Sequence, residues 1–388
     1  MRKRIGSLIM VLILCVYCFT GCSKEKEDSQ VAADTSSVTE ESTTKETVSE
    51  DTKPEQQADT TEVGETYIFT DSCGRKVELP KKIDRIAPSG ALAQIVLFAI
   101  APDKFVGLSS NWADEAVQYL DSEYLELPVF GQFYGSADLN MEALAAADPQ
   151  VIIDIGEAKD TVVEDMDSIQ EQLGIPTIFI EATTEGMGDC YQTLGKLLGE
   201  EDKGKELEEY CNSTYQTTID MVNKIGEENK VSLVYCVGDT GTNVIAKGSF
   251  HAEVLDILVN NVAVVKDPSS KGTGNEISLE QLYEWNPEVI LFDSGSIYGS
   301  VKDDTAWNGL DAISKGNYYE VPYGPYNWMG FPPSVNRYLG MVWLSNLLYP
   351  EKFNYNLEEK VKEYYNLFYH CELTSEQYEE LVKNSVSK

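Results

Sequence analysis

Two segments of the chain, Leu139–Asp154 (LNMEALAAADPQVIID) and Ile277–Phe292 (ISLEQLYEWNPEVILF), align without a gap. Glu142 falls on Glu280, Leu144 on Leu282, Pro149 on Pro287, and Val151-Ile152 on Val289-Ile290. Each copy carries the same physical instructions. Asn140 or Ser278 can cap a short helix, and the glutamate follows in the first turn, where the helix dipole favours a carboxylate. Proline then ends the helix, and a β-branched run makes a buried strand. A helix–strand unit written twice, so far apart, restricts the chain to α/β architectures with two similar lobes.

Charge limits the partners. The 388 residues carry 30 Lys and Arg against 65 Asp and Glu. Such a surface repels nucleic acid and anionic lipid, so no nucleic-acid partner is expected. Beyond the first four residues the arginines are Arg75, Arg85 and Arg337. Met1–Gly21 has a basic start, the apolar run Leu8–Phe19 and a small-residue finish, the pattern of a secretion signal. Phe19-Thr20-Gly21-Cys22 resembles the bacterial lipobox, with Phe in place of the more usual Leu. The expected product begins at a lipidated Cys22, whose acyl chains hold it on a membrane. Residues 22–64 are acidic and without aromatics, so they read as a disordered, extended tether.

The folded body starts near Glu65, and its length suits two domains with separate cores. Tyr67–Thr70 and Lys76–Leu79 read as a hairpin, Ile83–Pro88 as a strand, and Ala91–Ile100 as a helix apolar on nearly all sides. Short strands recur at Phe105–Leu108, Pro128–Phe130, Val151–Ile155 and Thr177–Ile180, with helical patterns between them. That alternation predicts a parallel sheet and a first lobe over 65–200. Lys203–Ile225 has the apolar spacing of a long amphipathic helix, giving a connector over 201–228. Strand–helix alternation then resumes at Val231–Val237 and Val262–Val265 and continues to Tyr318–Val321, a second lobe over 229–388.

The sequence has no HExxH, GxSxG, P-loop or GxGxxG opening a helix, so neither an enzyme nor a resident metal or cofactor is expected. Cys73, Cys190, Cys211, Cys236 and Cys371 show no zinc spacing, and their pairing cannot be read. The densest stretch is Tyr318–Pro350, where Tyr323, Tyr326, Trp328 and Phe331 crowd a Pro/Gly-punctuated segment. A helix follows Pro332-Pro333-Ser334, with Arg337 in its first turn. An arginine there adds its charge to backbone N–H groups that already favour an anion. The competing reading is a structural pairing with a nearby acid, and each aromatic taken singly is equally consistent with packing.

Together with the paired NMEAL…DPQVII and SLEQL…NPEVIL units, the opening FTDSCGRKVELPKKIDRIAPSG resembles the solute-binding lipoproteins of ABC importers for siderophores, haem and cobalamin. The resemblance covers about residues 66–370. It implies two Rossmann-like lobes with parallel sheets, joined by a single long helix, and a ligand cleft between them. It implies a monomer, lipid-anchored on the extracytoplasmic face of the bacterial cell membrane. Glu142 and Glu280 correspond to the glutamates that dock such proteins onto their permease. Ligand-binding candidates at the carboxyl ends of the strands are Ser89, Gly90, Trp112, Gln132, Phe133 and Tyr134, then Asp239, Asn275, Trp328 and Arg337. The implied ligand is an iron chelate or corrinoid, and Arg337 also suits a small oxyanion such as molybdate or tungstate. A surface receptor without a transport role is the alternative from another class. A Cys22→Ser variant should leave the membrane and stay folded; its retention on membranes after a salt wash would refute the anchor.

Overall fold

A computed structural model describes residues 62–63, 66–133 and 139–387. Cys22, the signal segment, nearly all of the tether, and Tyr134 lie outside the described residues. Residues 57–388 form one compact unit. It opens with an antiparallel hairpin, Thr66–Thr70 against Lys76–Pro80, in which Phe69 faces Val77. Glu62–Val63 adds a short third strand, so regular pairing begins just before the expected start. Arg75 is buried beneath this hairpin, where it bonds Asp71, Asp167 and the Thr177 carbonyl.

The first parallel sheet runs Ile86–Pro88, Val151–Gly156, Thr177–Glu181. Phe105–Leu108 and Pro128–Phe130, expected as strands, contribute only single parallel bridges, Ile86 to Phe105 and Leu108 to Val129. Gly107 supplies the reason: a Cβ there would stand 2.3 Å from the Phe130 ring, and a glycine inside a strand weakens it. Counting both bridged segments, the order is third, second, first, fourth, fifth, the doubly wound arrangement. The helix Ala91–Ile100 lies where the sequence places it and is buried from Ala93 onward.

The second sheet is mixed. Ser232–Val237, Val289–Phe292 and Tyr318–Glu320 are parallel neighbours, and Asn260–Asn261 joins the first of them in parallel. Asn243–Val244 and Asn275–Glu276 add antiparallel pairs at one edge. Val262–Val265 is not a strand. The Val264 amide bonds the Val262 carbonyl in a tight turn, and Val264 is exposed.

Both repeat units take the same form. Met141–Ala147 is capped by Asn140, which accepts from the Ala143 amide, and Leu279–Trp285 by Ser278, which accepts from Gln281. Asp148 and Asn286 then both adopt a left-handed conformation before the proline. The next side chain ties each unit to the neighbouring strand: Gln150 Oε1 accepts from the Asp84 and Arg85 amides, and Glu288 Oε2 from the Ser232 amide. Strand alternation also matches. Ile152 and Ile290 face these helices on the outer sides of the sheets, with Leu144 and Leu282, whereas Val151 and Val289 face inward.

Glu201–Ile225 forms the long helix, about 37 Å at 1.5 Å per residue. It packs closely on Met187–Leu198, and a Cβ on Gly204 would stand 2.9 Å from the Gly195 Cα. The inward faces of both sheets share one continuous core rather than two separate ones. The C-terminal helix Leu357–Tyr369 fills that space with aromatics. Tyr364 stacks on Phe368 at 4.4 Å, and Phe368 also meets Tyr191 and Tyr210. His370 then bonds the Phe98 carbonyl at 3.0 Å, so the chain end returns to the first sheet's helix.

Candidate functional site

Arg337 stands in the first turn of the helix Asn336–Leu348 and is 5% exposed. Its guanidinium is already engaged. Nη1 pairs with the Glu253 carboxylate and donates to Thr184 Oγ1 at 3.1 Å. Nη2 donates to the Phe250 carbonyl at 2.7 Å, and Cζ lies 4.9 Å from the Phe250 ring centre. Thr184 completes a triangle by donating to Glu253 Oε2 at 2.6 Å. The Tyr338 hydroxyl donates to the Thr184 carbonyl. Thr184 follows the last strand of the first sheet, and Glu253 opens a helix of the second half. The arginine therefore fastens the two halves together. Burial lowers the guanidinium's affinity for its proton and Glu253 opposes that, while burial raises the Glu157 carboxyl against the pull of Arg337.

The first-sheet candidates form a separate group. The Ser89 hydroxyl donates to Asp154, whose carboxyl is pushed up by burial, and the Phe133 amide bonds the Ser89 carbonyl at 2.9 Å. A Cβ on Gly90 would meet Gln132 Oε1 at 3.6 Å, so Ser89, Gly90, Gln132 and Phe133 lie side by side. Among the described residues no hydrogen bond joins this group to Arg337.

The aromatic candidates are packed. Trp112 lies 4.9 Å from Phe98 and 6.0 Å from Tyr326, with Nε1 bonded to the Tyr124 carbonyl. Trp328 is 1% exposed and belongs to the shared core. Its segment is held by Asn327, whose Nδ2 donates to Asp293 at 2.7 Å and to the Tyr235 hydroxyl at 3.0 Å. Asp293, half-buried at the end of Val289–Phe292, is pushed up by desolvation. Asp239 is exposed in the turn after Ser232–Val237. Asn275 is spent on its own loop, accepting from the Ser269 amide and donating to the Asp267 carbonyl.

Six buried side-chain polar atoms have no hydrogen-bond partner among the described residues: the Tyr191 and Tyr210 hydroxyls, Trp328 Nε1, and three atoms in the segments that contact Arg337. Those three are Ser249 Oγ, His251 Nδ1 and Ser334 Oγ. Burial lowers the His251 pKa, and Arg337 acts in the same direction. Glu142 and Glu280 are both exposed, one on each repeat helix. The Glu280 carboxyl is held low by its own backbone amide and by Ser278.

A profile of the periplasmic binding protein family matches residues 87–323, well over half of the chain. The chain belongs to that family. It is 24% identical over 332 residues to the molybdate-binding protein MolA of Haemophilus influenzae, covering 78% of this chain and 90% of that one. It is 25% identical over 189 residues to the Fe(3+)-citrate-binding protein YfmC of Bacillus subtilis, covering 47% and 56%. An ABC transporter solute binding protein from Sulfurospirillum deleyianum superposes with a TM-score of 0.74 at 28% identity, covering 81% and 99%.

For a periplasmic binding protein, the neighbourhood of Arg337 was only half legible. The arginine stood out by scarcity. Its partners Thr184, Phe250 and Glu253 did not, because no spacing links residues so far apart in sequence. Arg337→Met should cost about 2–4 kcal/mol, near the lower end for breaking a buried pair because Glu253 is one-third exposed and keeps some water. Adding Glu253→Gln should recover part of that loss. Urea unfolding midpoints test both, and an unchanged midpoint for Arg337→Met would show that the pair contributes nothing to holding the halves together.

Proposed function

We propose that this chain is the extracytoplasmic solute-binding component of an ABC importer and that its solute is a compact, oxygen-rich, metal-bearing anion. The observation carrying the ligand class is the setting of Arg337: a buried guanidinium at a helix start, contacted by segments that carry two serine hydroxyls and an imidazole with unused hydrogen-bonding capacity. Both curated relatives carry names of the same chemical kind, molybdate in one and a ferric carboxylate complex in the other. The oxyanion is the better supported of the two, since the molybdate-binding relative aligns over nearly its whole length. An iron chelate is the second reading, favoured by the ferric-citrate relative. Haem or a corrinoid would need broad aromatic walls, and Trp112 and Trp328 are spent in the core.

In this reading Cys22 anchors the protein to the outer face of the cytoplasmic membrane, and residues 22–64 let the monomeric body reach a permease. Glu142 and Glu280 are the docking carboxylates. Support comes from their equivalent places in the repeat and their exposure beside a buried leucine, Leu144 or Leu282. Ligand identity is tested by melting the purified protein with molybdate, tungstate, ferric citrate, haem or cobalamin. A ligand at a hundredfold excess over its Kd adds about 2.7 kcal/mol, so binding registers as a clear rise in Tm. Stabilisation by haem or cobalamin alone would overturn the anion reading.

The Glu142→Ala, Glu280→Ala double variant should keep ligand affinity and Tm yet lose uptake in cells. Normal uptake by that variant would show that the glutamates serve only their helices. Failure of the wild type itself to import a ligand that it binds would favour a receptor without a transport role.

A further inference from the structure

Ser334 is 3% exposed, and its hydroxyl has no partner among the described residues. Folding gains nothing from such a group, since a buried donor that bonds nothing forfeits its hydration without return. Two more unpartnered atoms lie in the segment that touches Arg337. Ser249 and His251 flank Phe250, whose carbonyl and ring both contact the guanidinium. Ser334 stands three residues before Arg337, and its backbone carbonyl accepts from the Arg337 amide at 3.0 Å. The hydroxyls of Tyr191 and Tyr210, also unpartnered among the described residues, belong instead to the aromatic stack around Phe368, and Trp328 Nε1, likewise unpartnered, belongs to the shared core.

The residues on this side of Arg337 hold one another in fixed positions. His251 stacks face to face on Phe331, with ring centres 4.8 Å apart and planes 8° from parallel. That fixes the imidazole plane. The carbonyls of Gly330 and Ser270 interact with the ring and favour its protonated form against the effect of burial, while Nδ1 has no hydrogen-bond partner among the described residues. Gly272 packs flat on the same pair, and any side chain there would drive into Phe331 at 2.6 Å. Gly330 has a φ of +99°, and a Cβ on it would stand 3.2 Å from Arg337 Cγ and 3.4 Å from Nε, so a residue without a side chain lets this backbone lie close along the Nε edge. Glu253 and Thr184 occupy the Nη1 side. The helix Asn336–Leu348 has no acid in its first turn.

We propose that Ser249, His251 and Ser334 form an oxyanion subsite around Arg337, donating hydrogen bonds to the oxygens of a tetrahedral oxyanion or of a chelate's carboxylate. The proposal rests on the anion reading above and adds the residues that recognise the oxygens. Two serine hydroxyls, an imidazole with its proton on Nδ1, and the guanidinium edge are all donors, a set that suits an acceptor-only ligand and discriminates against a cation. The ligand enters away from the Nη1 side, so the pair with Glu253 is retained.

The test uses the full folded protein, a Ser249→Ala, Ser334→Ala double variant, and His251→Phe, which keeps the stack on Phe331 and removes both ring nitrogens. Calorimetric titration is run with sodium molybdate and, separately, with ferric citrate; melting is followed without ligand. The free double variant should melt at or above the wild-type temperature, because it loses only unpaired hydroxyls. Its affinity for the anion that wild type binds should fall about tenfold to a hundredfold for each donor removed. His251→Phe should also lose at least tenfold. Loss confined to molybdate identifies a free oxyanion, and loss confined to ferric citrate identifies a chelate carboxylate. Wild-type affinity in both variants would overturn the subsite and leave the anion reading standing. A wild type that binds neither anion would remove the anion reading and the subsite with it.

Discussion

Burial of each parallel sheet on both faces is the constraint from which the remaining architecture follows. Every residue of Val151–Gly156 and of Val289–Phe292 is buried, so each strand needs cover on two sides. The repeat helices supply the outer cover, with Leu144 and Leu282 as their inward anchors. The inner cover cannot come from the repeat, because both sheets present their second face to the same space. Helices Met187–Leu198, Glu201–Ile225 and Leu357–Tyr369 fill it with Tyr191, Tyr210, Tyr364 and Phe368. A shared core is the result, and it couples the two halves more firmly than a lone connecting helix would.

Against that apolar background the few arginines divide the polar work. Arg75 is enclosed beneath the hairpin by Asp71 and Asp167, and Arg85 holds the Asp148 carbonyl and carboxylate at the end of a repeat helix. Both keep first-half segments in register. Arg337 alone of the three joins first-half to second-half residues, through Thr184 on one side and Phe250 and Glu253 on the other. In a chain with 65 acids a buried guanidinium at that junction is the local exception to a negative field, which an anionic solute must otherwise overcome.

Sequence patterns read most accurately where local chemistry alone decides the structure. Ala91–Ile100 needs no partner to be recognised as a buried helix, and Asn140 and Ser278 cap through bonds three residues away. The reading failed where a neighbour decides. Phe105–Leu108 has strand composition, but Gly107 pressed on Phe130 leaves only bridges. Trp328 and Trp112 looked like ligand walls because aromatic residues crowd Pro/Gly-rich loops in both roles; only packing distinguishes them. His251 precedes a helical pattern and has no second histidine at ligand spacing, so its sequence setting does not mark it. Nothing in the sequence reveals that Phe331, 80 residues later, fixes its ring.

The polar residues near Arg337 also differ in what they do for the folded state. Asn327 is as buried as Ser334, but its amide and carbonyl are fully used in holding Asp293, Tyr235 and the Met329 amide. Such a network fixes the Tyr318–Val335 segment and is self-sufficient. Ser249, His251 and Ser334 are attached to that fixed segment or to Phe250, and their Oγ and Nδ1 atoms make no hydrogen bond to it among the described residues. A rigid frame that carries unspent donors has the form expected of a preorganised binding site: the cost of desolvating the donors is met during folding, so the ligand does not bear it on arrival. The same logic explains why Glu253 remains on Arg337. A free buried guanidinium would weaken the junction, whereas a half-satisfied one can hold the two halves together and still present an edge to an anion.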